Sequence, residues 1–243
     1  MSSSSSFISI ISLLICSLIL QKATSTDPLY SICFSQENYT SNSPYSTNLN
    51  DLLDVLSSQT PPTGYGQGSV GQGSDRVNGL ALCRGDVKSL DCKSCVTEAR
   101  KEILNRCPYY KGAIIWYDYC LLKYSNVKFF GQIDNSNKFY LYNVQSVNDP
   151  ATFNENVKEL LTSLTNKAYV SSMLFSTGEA KLGNSVTLYG LVQCTRDLSS
   201  SDCKKCLDGA IGELPNCCDG KEGGRVVGGS CNFRYEIYPF VIA

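Results

Sequence analysis

The chain has 243 residues, 42% hydrophobic and 10% aromatic, with 21 Lys and Arg against 22 Asp and Glu for a formal net charge of −1. This is the composition of an ordinary globular protein, and without a basic run or a positive surplus it lacks the electrostatic footprint of a nucleic-acid binder. There is no histidine, which removes every Ser-His-Asp triad, Cys-His dyad, HExxH helix and imidazole base, and leaves zinc only sites made of four cysteines.

In chain order, Phe7 to Leu20 is an apolar run, followed by Ala23-Thr24-Ser25 with small residues at −3 and −1. The pattern predicts a signal peptide over residues 1–25, cut before Thr26, although its first residues carry no Lys or Arg. A membrane anchor is disfavoured because the run falls short of the about 20 apolar residues needed to span. No later segment is long and apolar enough, so the expectation is a secreted chain with no stable membrane anchor. Asn38-Tyr39-Thr40 is the only N-x-S/T sequon without proline, making Asn38 a candidate glycan acceptor.

Tyr45, Leu49, Leu52, Leu53 and Leu56 recur at helical spacing and predict an amphipathic helix. The polar, glycine-rich stretch Gly64 to Gly73 reads as a flexible surface loop, not a phosphate cradle. A second helix is predicted near Asp91 to Leu104, with Val96, Ala99, Ile103 and Leu104 inward, and strand character at Gly112 to Tyr124. Gly131 to Lys138 reads as a connector too short for independent tumbling of its flanks. Asp149-Pro150 then supplies an N-cap and first helical position ahead of Phe153, Val157, Leu160, Leu161, Leu164 and Ala168. A further helix, capped by Ser201 and Asp202, is predicted from Cys203 to about Leu214. Strands follow at Arg225 to Val227 and Cys231 to Phe240, the last alternating polar Asn232, Arg234, Glu236 and Tyr238 with Phe233, Tyr235, Ile237 and Pro239. Helices mixed with hairpin-like strands predict an α+β fold with an antiparallel sheet.

Half of these elements repeat the other half. Cys83, Cys92 and Cys95 read C-x8-C-x2-C, as do Cys194, Cys203 and Cys206, and the offset that takes Cys83 to Cys194 also carries Cys107 onto Cys218 and Cys120 onto Cys231. The same register takes Gly79-Leu80 onto Gly190-Leu191, Lys123 onto Arg234 and Tyr124 onto Tyr235. The chain therefore reads as a tandem duplication, with domains at 27–130 and 139–243.

Of the 13 cysteines, Cys16 leaves with the leader and twelve remain. In an oxidising compartment such an even, repeated set argues for a disulfide framework and against a lone redox pair. Cysteines at i and i+3 of a helix have Cβ atoms about 5–6 Å apart, beyond the about 3.5–4.5 Å a disulfide prefers. Cys92 and Cys95 should therefore bond to different partners, as should Cys203 and Cys206, stapling the start of each second helix to a preceding and a later strand.

The C-x8-C-x2-C spacing and the late NFRYEIYPF strand resemble the ginkbilobin-type salt-stress-response/antifungal domain of plants, found in tandem in cysteine-rich repeat secretory proteins, cysteine-rich receptor-like kinases and plasmodesmata-located proteins. The resemblance covers essentially the whole mature chain. It implies two helices on a five-stranded antiparallel sheet in each domain. It also implies bridges Cys33–Cys107, Cys83–Cys92, Cys95–Cys120, Cys194–Cys203 and Cys206–Cys231. With neither a kinase nor a membrane helix after the second copy, the secretory branch is the expected one. No cysteine in the second domain matches Cys33, whose position falls at Leu141 or Tyr142, and Cys217 is extra beside Cys218. A vicinal Cys217–Cys218 bond is the preferred pairing; an intermolecular bridge or two free thiols are the alternatives, the last leaving a redox-active protein.

The resemblance also implies a mannose site made of an Asn directly after the first Cys, an Arg on the strand leading to the last Cys, and a Glu just beyond that Cys. The first domain has Phe34, Ile114 and Ser125 there, and the second has Asn143, Arg225 and Glu236. A carboxylate accepts from sugar hydroxyls while Arg and Asn donate across neighbouring oxygens. The competing reading is an Arg225–Glu236 ion pair between strands, with Asn143 capping a turn. The expectation is a non-enzymatic, cofactor-free recognition protein of the apoplast in plant defence, binding a mannose-type glycan. The alternative is an extracellular protein–protein interaction module without sugar binding.

Overall fold

The computed structural model describes residues 27–183 and 186–242; the expected signal peptide lies outside the described residues. In the first half, β1 (Tyr30–Cys33), α1 (Pro44–Thr63), β2 (Tyr65–Val70), β3 (Val77–Cys83), α2 (Ser89–Arg106), β4 (Gly112–Trp116) and β5 (Cys120–Ser125) build a sheet ordered β1-β4-β5-β3-β2. The second half repeats this as β6 (Lys138–Tyr142), α3 (Pro150–Ala168), β7 (Phe175–Leu182), β8 (Val186–Cys194), α4 (Ser200–Gly212), a short α5 (Leu214–Cys217), β9 (Gly224–Gly228) and β10 (Cys231–Glu236), ordered β6-β9-β10-β8-β7. All the strand pairs are antiparallel. The expected α+β architecture is present twice.

The helix starts follow from their caps. Ser43 Oγ accepts from the Ser46 N–H at 3.2 Å ahead of Pro44, and Asp149 Oδ1 from the Thr152 N–H at 3.2 Å ahead of Pro150. On α4 the cap is Ser199, accepting from the Asp202 N–H at 3.1 Å, so this helix begins earlier than the Ser201-Asp202 start expected from sequence. It ends at Gly212 because Pro215 forces a fresh turn, α5. Tyr45, Leu49, Leu52, Leu53 and Leu56 are all fully buried on α1. Each such leucine contributes on the order of 1.5–3 kcal/mol by leaving water. Two equivalent contacts show how closely the halves match. Tyr124 Oη donates to the Tyr110 carbonyl at 2.9 Å, and their counterparts in the second half do the same, Tyr235 Oη donating to the Lys221 carbonyl at 3.1 Å.

Three expectations need correction. The glycine-rich stretch is not a free loop, because Tyr65 to Val70 pairs with β3 as an edge strand. Gly66 is there for proximity: a Cβ on it would stand 2.7 Å from Thr60 Oγ1 of α1. The strand character at Gly112 to Tyr124 is a hairpin broken at Tyr117–Tyr119, and the last strand ends at Glu236 instead of Phe240.

Cys83 bonds Cys92 and Cys95 bonds Cys120, so each cysteine of the first CxxC holds a different strand; Cys194–Cys203 and Cys206–Cys231 repeat the arrangement. Cys33–Cys107 closes 74 residues, whereas Cys217 bonds its neighbour Cys218. Position 142 is the counterpart of Cys33: Cys33 pairs with Ala113 of β4, and Tyr142 pairs with Gly224 of β9, the residue that the repeat register places on Ala113.

Helices cover only one face of each sheet, and the two uncovered faces pack on each other. Every residue of β3, β4 and β5 is consequently buried. The seam holds Leu80, Leu82, Ile114, Trp116 and Leu121 of the first domain against Val227 and Phe139 of the second. Trp116 Nε1 donates to the Gly228 carbonyl at 3.1 Å and Gln193 Nε2 to the Cys83 carbonyl at 3.0 Å. The connector is pinned to both sides, its Asp134 pairing with Lys123 at 2.6 Å and its Gly131 N–H donating to Asp197 Oδ2 at 2.9 Å. Asp86 closes one end, taking Arg84 Nε at 2.6 Å and the Ile242 N–H at 2.7 Å.

This framework can be tested at its bridges and at its closing clamp. On chain-entropy grounds, replacing Cys33 and Cys107 with serine should cost about 4 kcal/mol, and replacing Cys217 and Cys218 only about 1 kcal/mol; urea unfolding of the two double variants checks the difference. Burial raises the Asp86 carboxyl, but hydrogen bonds from Arg84 and Ile242, with the Arg84 charge, bring it below its ordinary value. A depressed folded pKa means the clamp is fully present above the unfolded value of about 3.9 and is lost as pH falls through the folded one. The Ile242 amide resonance should therefore hold steady down to about pH 4 and move only below it; a midpoint above that would contradict the clamp.

Candidate functional site

Arg225 stands on β9 and Glu236 ends β10, strands neighbouring in the sheet. Asn143 follows β6, which pairs with the other side of β9. Asn143 donates its N–H to the Gly223 carbonyl at 2.8 Å, as Phe34 does to Gly112 at 3.0 Å. Gly112 and Gly223 are equivalent in the repeat register, so Asn143 is the structural counterpart of Phe34.

Asn143, Arg225 and Glu236 converge on one cleft of about 340 Å3, also lined by Leu141, Gly223, Gly224, Tyr142 and Tyr238. Tyr142 is 58% exposed and Tyr238 47%, giving the cleft an aromatic rim, while Glu236 at 6% forms its floor. Glu236 can lie there because Gly223 carries no Cβ: one built on it would overlap Glu236 Oε2.

The three side chains are each half engaged. Glu236 Oε1 accepts from Arg234 Nε at 3.0 Å, Arg225 Nη1 donates to Asp118 Oδ1 at 2.5 Å, and Asn143 Oδ1 accepts from the Gln145 N–H at 3.0 Å. Arg225 and Glu236 form no ion pair with each other among the described residues; Arg225 is paired instead with the first domain. Asn143 does brace a turn, through its carbonyl oxygen alone. Asn143 Nδ2, Arg225 Nε and Nη2, and Glu236 Oε2 have no hydrogen-bond partner among the described residues. The cleft thus presents two donor side chains and one acceptor beside aromatic faces, a pattern suited to vicinal hydroxyl groups.

The first domain cannot reproduce this. Ile114 is fully buried in the seam, and Ser125 Oγ accepts from the Val127 N–H at 3.1 Å. Its corresponding cleft, about 640 Å3, is lined by Phe34, Lys123, Phe129 and the connector. There burial raises the Asp134 carboxyl, but Lys123 and Asn137 pull it below its usual value. Sequence reasoning did not find Arg234, Tyr142, Tyr238 or Asp118. The alternation along β10 marked Arg234 as part of a polar face; nothing in the spacing linked Asp118 to a residue 107 positions away.

Among the described residues no helix is long and apolar enough to cross a membrane. The salt stress response/antifungal family profile matches residues 32–127 and 141–238. An antimicrobial ginkbilobin-2-like protein of Castanea crenata is 64% identical over 240 residues, 99% of each chain. The cysteine-rich repeat secretory protein 38 of Arabidopsis thaliana is 61% identical over 206 residues, 84% of this chain and 81% of that one. The solved tandem DUF26 ectodomain of the Arabidopsis thaliana cysteine-rich receptor-like protein PDLP8 superposes with a TM-score of 0.76 at 29% identity, over 87% of this chain and 98% of that one. With both matched segments coinciding with the two sheets, the chain belongs to the salt stress response/antifungal family and carries its domain twice.

Proposed function

We propose that this chain is a secreted, non-enzymatic recognition protein of plant defence that binds a mannose-type sugar in the second-domain cleft. The observation that carries the reading is the set of hydrogen-bonding atoms of Asn143, Arg225 and Glu236 that converge there without protein partners among the described residues. Tyr142 and Tyr238 supply faces on which a pyranose ring can rest. One site per chain makes the protein a monovalent binder. The relative named antimicrobial supports a role against microbes, and the relative named secretory supports export to the apoplast. Asn38 is exposed and its sequon lies ahead of α1, on the opposite repeat from the cleft, so a glycan there would leave the cleft open.

A second reading, a protein-interaction module, is favoured by the tandem ectodomain of the receptor-like relative and by the engagement of Arg225 with Asp118. Calorimetry with mannose on the oxidised chain separates the two. Binding at about 1 mM, a free energy of roughly −4 kcal/mol, is expected for the wild type. Glu236→Gln and Arg225→Ala should each weaken it by about tenfold or more, as loss of a hydrogen bond to a charged group implies. No heat from the wild type at tenfold higher sugar would remove the sugar reading and leave partner recognition.

A further inference from the structure

Asp118 belongs to the first domain, in the turn between β4 and β5, yet its closest charged contact is in the second domain's cleft. Its Oδ1 lies 2.5 Å from Arg225 Nη1 and 3.9 Å from Arg234 Nη1. Arg225 and Arg234 sit directly opposite each other on β9 and β10. Like charges in that register repel, and both guanidiniums are largely withdrawn from water, at 17% and 13% exposure. Two carboxylates meet this pair: Glu236 on the cleft side, through Arg234, and Asp118 from across the seam.

We propose that Asp118 is a positioning residue of the second-domain cleft, which makes that cleft a composite of both domains. By neutralising Arg225 from outside, Asp118 keeps the guanidinium from turning onto Glu236, and so keeps Glu236 Oε2 available to a ligand. Without it, two opposed arginines would share one carboxylate, and the cleft's acceptor would be consumed. The relation runs in one direction. The turn position equivalent to Asp118 in the second domain is Gly229, which has no charge to offer, and Lys123, the counterpart of Arg234, is neutralised by Asp134 of the connector. The first domain, with Phe34, Ile114 and Ser125 in place of a site, thereby retains a part in recognition. For its ligand the inference rests on the sugar reading above; for its geometry it does not.

The test uses the full oxidised chain with 15N-labelled arginine, and methyl α-mannoside as the probe. Asp118→Ala should lower mannoside affinity about tenfold, as removal of one partner of a charge pair implies. It should also shift or broaden the Arg225 Nε–Hε resonance, assigned with Arg225→Lys, while the emission of Trp116 stays unchanged because the seam remains closed. Asp118→Glu, which keeps the charge, should recover affinity to within about threefold. An unchanged Arg225 resonance with unchanged affinity in Asp118→Ala overturns the proposal. So does a loss of affinity accompanied by a Trp116 shift, which would make Asp118 a strut of the seam. If the wild type binds no mannoside but the Arg225 resonance responds to Asp118→Ala, the sugar reading falls and the positioning role stands.

Discussion

An antiparallel sheet that carries helices on one face has a second face to cover, and in this protein the second face of each sheet is covered by the other. That arrangement explains why β3, β4 and β5 are buried throughout although helices touch only one side of them. It explains the single tryptophan, Trp116, whose ring meets Phe139 of the second domain at 5.2 Å between centroids while its N–H reaches the Gly228 carbonyl. Equivalent positions of the repeats meet there: Leu82 and Gln193, Trp116 and Val227, and Leu121 and Asn232 all line one cavity of about 60 Å3. Where both members of such a pair are apolar, burial is the gain. Gln193, polar at such a position, is satisfied by the Cys83 carbonyl.

The seam is also where the cleft gets its charge balance. Arg225, Asp118, Arg234 and Glu236 form a chain of alternating sign that leaves the cleft at Arg225, passes through Asp118 of the first domain and returns to the cleft floor. Partly buried charges in such a chain are not a source of large stability, since desolvation offsets most of the attraction. What they provide is orientation. Divergence between the halves fits this division of work. The first domain has the 74-residue cystine and the three wholly buried strands β3, β4 and β5, and lacks the hydrogen-bonding triad; the second has the triad and the open rim, and a vicinal cystine that ties down little chain.

Much of this was legible in the residues. One constant offset placed both domains, and helical spacing found Leu49, Leu52, Leu53 and Leu56 because a packed helix face repeats locally. Helical CxxC cysteines take separate partners, as their Cβ spacing requires. Gly64 to Gly73 misled because composition reports flexibility, whereas Gly66 and Gly71 are set by how near α1 lies. For the cleft, Arg225 and Glu236 could be counted from Cys231 because one sheet fixes their register. Asp118 had no such ruler: its contact is made by the packing of two folded domains, and pairing across 107 residues leaves no local pattern.

Through their shared sheet faces the two domains behave as one cooperative body. Equilibrium urea unfolding of the oxidised chain, followed at once by Trp116 emission and far-ultraviolet circular dichroism, tests it most directly, because the one tryptophan lies in the seam. Domains joined in this way unfold in a single transition with coincident midpoints for the two probes. A Trp116 transition that is complete while the secondary structure persists would show the domains parting before they unfold, and would contradict it.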